Sequence, residues 1–97
     1  MTMHNPPHPG EFIREIYMLP YGITGRTLAA KLGVAASTLN RVLQGRSGIS
    51  SEMALRLSIT LGRSAESWLA LQDNYELWQA KKTLDLNSVE KIDFDAA

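Results

Sequence analysis

Five side chains between positions 37 and 44 can each hydrogen-bond: Ser37, Thr38, Asn40, Arg41 and Gln44. They are what a helix over 36–44 leaves outside once Leu39, Val42 and Leu43 turn inward. Arginine can grip guanine with two bonds and asparagine or glutamine can grip adenine in the same way, each good pair being worth about 1–3 kcal/mol of discrimination. The face therefore suits the reading of base edges in a major groove. Arg26 and Thr27, at the start of the preceding helix, and Arg46, in the loop that follows, suit phosphate contacts, which set register rather than sequence. A polar helix face is ordinarily just solvated, so the weight of this reading falls on the elements around it.

Other chemistries find little support. Cysteine is absent, which removes disulfides, thiolate metal sites and thiol nucleophiles. His4 and His8 are four apart, but Pro6 and Pro7 between them forbid the helix that would align their rings on a metal. Glu11 and Glu15 lie one turn apart on an exposed first turn, where carboxylates ordinarily face solvent rather than form an acid/base pair. The expectation is a protein that is not an enzyme and needs no metal or cofactor.

The candidate reading helix must be held by a partner helix, and the spacing provides one. Thr24 is placed to cap a helix with Leu28, Ala29 and Leu32 on one face, and Gly33 can take positive φ at its end. Where two short helices cross closely only a small side chain fits, and Ala29 stands there; the tight turn wants glycine four residues on, and Gly33 stands there. Val34, Leu39 and Val42 then lock the second helix onto the first. This is the register of a helix-turn-helix.

The remaining elements are also helical. The first ten residues, with Pro6, Pro7, Pro9 and Gly10, read as an extended lead-in over 1–10. A first helix opens at Glu11 with Phe12, Ile13, Ile16 and Leu19 as its inner face and stops at Pro20 and Gly22. Ser50 caps a fourth helix that Gly62 ends, with Ile49 as a staple, and Ser64 caps a fifth that runs to Lys82. On the fifth, Trp68, Leu71, Tyr75 and Trp78 form a single stripe, read either as core or as the seam of a homodimer. The whole reads as an all-α, five-helix DNA-binding domain over 11–82 that resembles the lambda-repressor-like domains, followed by an acidic tail over 83–97 that forms a short strand or no regular structure.

Composition agrees with a folded domain, since 44% apolar and 21% charged residues are ordinary globular values. No secretory signal or membrane span is visible, so the expected location is the cytoplasm. The net charge is zero, yet its distribution is uneven. Between 21 and 50 stand Arg26, Lys31, Arg41 and Arg46 with no acid at all, whereas from 51 onward eight acids face five bases. A duplex responds to that local field rather than to the sum.

The string from about His8 to Ala80 resembles the HigA antitoxins, the antidote branch of the Xre-type helix-turn-helix proteins. The likeness rests on HPGEFIREI, LAAKLGVAASTLNRVLQGRSGIS, EMALRLSITLG and SAESWLALQDNYELW. The resemblance implies a homodimer that binds a palindromic operator in its own promoter and neutralises a HigB-type toxin, an mRNA-cleaving ribonuclease. Two departures stand out. Ala35 and Ala36 occupy places where the family often has a capping serine and a polar or proline residue, a loss of about 1 kcal/mol of helix stability. The tail beyond Lys82 carries no family signature, so the resemblance assigns no toxin-contacting residue. A solitary Xre-type regulator without a toxin is the alternative, and a helical adaptor that binds only protein is the third reading.

Overall fold

The computed structural model describes residues 5–95; His4, one of the two histidines weighed above, lies outside them. Helix α1 spans Pro9–Phe12 and continues without a break as a π-helical turn over Ile13–Met18. Helices α2 (Gly25–Leu32), α3 (Ala36–Leu43), α4 (Ser51–Thr60) and α5 (Ala65–Thr83) follow. The described residues contain no strand, so the tail over 84–95 runs as turns and extended chain. Thr24, Ser50 and Ser64 cap their helices as the sequence suggests, each side-chain oxygen accepting a main-chain N–H three residues on.

The first helix departs from expectation at its start. It begins at Pro9, inside the anticipated extended lead-in, because proline at a first helical position forfeits an N–H that has no helical partner anyway. His8 caps it, its Nδ1 accepting the Gly10 N–H at 2.9 Å. Gly10 is there for closeness: a Cβ on it would fall onto the Val42 carbonyl oxygen and 2.8 Å from Leu43 Cα, so α1 meets the end of α3 backbone to backbone.

The inner face of this helix also differs. Ile16 and Leu19, expected inside, are 50% and 69% exposed. The Leu19 N–H reaches back five residues to the Arg14 carbonyl, and a wider turn brings residues five apart onto one face. Ile13 and Met18 are accordingly the buried pair, while Phe12 and Tyr17 stack edge to face with centroids 6.0 Å apart.

The core joins Ile13 and Met18 to Leu28, Ala29, Leu32, Leu39, Val42, Leu43, Ile49, Met53, Ala54, Leu57 and Trp68, one contribution at least from every helix. Trp68 sits at its base with no exposed surface. Its Nε1–H donates to the Gly62 carbonyl at 2.8 Å, and its ring meets Phe12 and Tyr17 at 6.0 and 5.8 Å. Beyond Trp68 and Gln72, α5 carries no fully buried residue, though Tyr75, Trp78 and Gln79 still border the segment around His8. The radius of gyration of 17.0 Å exceeds the value of about 12–13 Å for a compact chain of this length, in keeping with a tail over 84–95 whose residues are all exposed.

Candidate nucleic-acid interface

The two helices of the motif are held by local features first. Helix α2 ends in a left-handed glycine, Gly33 at φ 73°. The Val34 N–H bonds back to Ala29 at 3.0 Å and the Gly33 N–H to Ala30 at 3.2 Å, which satisfies the last carbonyls of the helix. Helix α3 ends in the same way, with Gly45 at φ 75° and the Arg46 N–H on the Arg41 carbonyl at 2.8 Å. At the crossing, Ala29 is 2% exposed, as the small residue there requires.

Longer-range contacts then fix the pair. Arg56 on α4 donates from Nη1 to the Leu32 and Gly33 carbonyls at 2.8 and 3.2 Å, while Glu52, at 3.0 Å from Nη2, orients the guanidinium. The turn between α2 and α3 is therefore gripped from behind. The loop after α3 is held by Gln72 of α5, whose Oε1 accepts the Ile49 N–H at 2.8 Å and whose Nε2 donates to Glu76 at 3.0 Å. Gly48 lies so close to that amide that a Cβ would come within 2.8 Å of it. His8 reaches the same loop from the other side, with a Cβ position on Gly45 3.8 Å from its ring.

With the backbone so fixed, all five candidate base-reading residues, Ser37, Thr38, Asn40, Arg41 and Gln44, are exposed on α3, opposite the buried Leu39, Val42 and Leu43. They do not occupy one line. Thr38 borders a shallow recess with Val34, Ser50, Glu52, Met53 and Arg56, while Asn40 sits at the other edge, its Oδ1 3.6 Å from a Cβ position on Gly25 at the start of α2. Arg26 and Thr27 are exposed beside that same helix start, and Arg46 is exposed in the loop beyond α3. Thr24 Oγ1 accepts the Thr27 N–H at 3.2 Å and donates to Thr27 Oγ1 at 3.0 Å, so Thr27 is part of the cap. Helix α3 begins at Ala35 with no side-chain cap, as alanine dictates.

The α5 stripe divides. Trp68 is wholly inside the protomer and offers no surface to a second chain, which corrects its place in a dimer seam: its indole closes the core beneath α1. Leu71, Tyr75 and Trp78 remain half-buried. Tyr75 packs edge-on against His8 at 5.0 Å, and Lys82 Nζ lies 4.1 Å over the Trp78 ring. Arg56, Gln72 and His8 are the positioning residues that pattern reading missed. All three act across more than twenty positions of sequence, and only Arg56 left a trace, as the residue four beyond Glu52 on one helix face.

Among the described residues no group of histidine, aspartate and glutamate side chains converges as a metal site, and no helix is long and apolar enough to cross a membrane.

Known proteins share this fold. A helix-turn-helix family model matches residues 13–68. The Escherichia coli protein described as an uncharacterized HTH-type transcriptional regulator, YddM, is 35% identical over 92 residues, covering 95% of this chain and 97% of its own. The antitoxin GraA superimposes with a TM-score of 0.86 at 41% identity, covering 93% of this chain and 99% of that one. A structure of it in complex with its operator gives 0.85 at 38% identity, covering 96% and 98%. The Pseudomonas aeruginosa antitoxin HigA, solved with the higBA promoter, gives 0.82 at 33% identity, covering 93% of this chain and 98% of its own.

Proposed function

The chain belongs to the helix-turn-helix family, in the branch that holds the HigA antitoxins, and we propose that it is the antitoxin of a toxin–antitoxin pair that represses its own promoter. The observation that carries this is the outward, acid-free ridge of α3, pinned by the Gly33 turn and the Arg56 grip. In this reading a homodimer lays one α3 into each half of a palindromic operator. Ser37, Thr38, Asn40, Arg41 and Gln44 read bases, and Arg26, Thr27 and Arg46 hold phosphates. The likeness along nearly the whole chain to an antitoxin solved with its operator supports it.

A palindrome reader must keep its two reading helices about one duplex turn, or 34 Å, apart. The face of α5 that carries Leu71, Tyr75 and Trp78 is the surface assigned to that pairing. The second partner is a HigB-type ribonuclease toxin, and the protein works in the cytoplasm. A solitary regulator is the other reading, favoured by the full-length match to YddM, whose description mentions no toxin.

A gel shift on the DNA just upstream of the gene, with and without the product of the neighbouring gene, separates these readings. A retained band that responds to the neighbour's product is the expected result. A band indifferent to it leaves the solitary regulator, and no band at low ionic strength sinks both. Log affinity should also fall steeply with log salt, because each neutralised phosphate releases counterions.

A further inference from the structure

His8 lies outside every residue assigned to the duplex, yet three elements meet at its ring. Its Nδ1 accepts the Gly10 N–H that opens α1. Tyr75 of α5 abuts it edge-on. The glycine that closes α3 and the main chain of Ser47 lie against it from the loop that carries Arg46. Because Nδ1 is an acceptor, the neutral ring carries its proton on Nε2.

We propose that neutral His8 is a positioning residue for DNA reading, which ties the Gly45–Ser47 loop, and through it Arg46 and the end of α3, to α1 and α5. A second proton would put a hydrogen on Nδ1, facing the Gly10 N–H donor to donor. The cap is then lost, and with it the backbone seating of Gly10 against Val42 and Leu43. DNA affinity falls although no group that touches DNA has changed.

Burial pushes the His8 titration below the ordinary 6.5, against smaller upward pulls from the Ser47 backbone, Glu11 of α1 and Glu76 of α5. The Tyr75 hydroxyl is engaged with Gln79, and Lys82 borders the same recess. A histidine lowered in the folded state contributes its full stability above 6.5. That contribution is lost as pH falls below 6.5, until the folded value is passed.

The inference rests on the proposed operator binding, and one experiment tests the two separately. Operator affinity is titrated from about pH 7.5 to about pH 5 for wild type, His8→Asn and His4→Asn, with the melting temperature followed at each pH. Asparagine can still cap the helix but does not titrate. Wild type and His4→Asn should lose affinity roughly three- to tenfold across the range, the scale of one lost cap, while His8→Asn stays flat. A flat wild-type profile, or a step that survives in His8→Asn, overturns the role of His8 alone. No binding at any pH overturns the operator reading and this role with it. A purely structural His8 would lower the melting temperature with acid and leave affinity, measured well below that temperature, unchanged.

Discussion

The α2–α3 pair and the α5 region solve opposite problems. The pair consists of two helices of eight residues each, too short to persist alone. Every device around it serves position: a left-handed glycine after each helix, Arg56 on the turn, Gln72 and His8 on the following loop. Helix α5 has nineteen residues and needs no such bracing. Its first two turns are core, and the rest carries half-buried rings and leads into an acid-rich, apolar tail in which Leu84, Leu86, Val89, Ile92 and Phe94 are all exposed. A surface that must meet a rigid duplex is fixed within the chain, whereas the tail after α5 leaves apolar area that its own domain does not cover.

The sharpest way to break that contrast is within α5 itself. Trp68→Ala should cost about 3–5 kcal/mol, the range for a large aromatic removed from a core, with a corresponding fall in melting temperature by calorimetry. Trp78→Ala, ten residues on, should change the stability of the protomer by less than about 1 kcal/mol and raise the concentration at which sedimentation detects a dimer. Comparable melting losses for the two tryptophans would show that the stripe is one unit after all.

That division was the part of α5 hidden from the sequence, because helical spacing places Trp68 and Trp78 on one side without saying where the neighbouring helices end. The pair was legible for the opposite reason. Ala29, Gly33 and Leu39 are required by local geometry, and local geometry leaves its mark on spacing. The first helix misled in part: Ile13 is buried as the 3.6-residue period puts it, but that period also puts Ile16 and Leu19 inside, and only a hydrogen bond skipping to the fifth residue buries Met18 in their place. Pro9 and Gly10 read as breakers, yet one is at home in a first turn and the other is needed for contact with α3. Gln72 looks like any helix glutamine until the loop it holds is folded beside it.

On the α3 side, the split between reading and clamping residues can be sharpened with two arginines that are both exposed. Arg41→Ala should weaken the specific operator by about 1–3 kcal/mol and leave random duplex nearly unchanged, as the loss of a base contact does. Arg46→Ala should weaken both alike and reduce the salt slope by about one. Equal losses for Arg41 on the two duplexes would move it among the phosphate contacts, and a selective loss for Arg46 would move it among the readers.

The turn offers a smaller effect that tests how the position is held. Gly33→Ala places a side chain at φ 73°, which costs about 1–2 kcal/mol for an L-residue, and its Cβ would press on Arg56 Nη1 at 3.0 Å. Operator affinity should fall with stability, because the turn and the Arg56 grip change together. A variant that melts lower but binds unchanged would show that the crossing at Ala29, and not the turn, sets the angle of α3.

The smallest expected change is a gain. Ala35 holds the extended backbone of a cap, φ −66° and ψ 145°, but its side chain accepts nothing, leaving the first N–H groups of α3 without the partner that Thr24, Ser50 and Ser64 give their helices. Ala35→Ser should therefore raise stability by about 0.5–1 kcal/mol, measured as a higher denaturant midpoint with an unchanged slope. If those N–H groups face phosphate when DNA is bound, the serine competes with the duplex, and the gain in stability comes with weaker operator binding and a shallower salt dependence. Unchanged binding in the stabilised variant would instead place the start of α3 away from the backbone and leave the anchoring to the α2 end and Arg46.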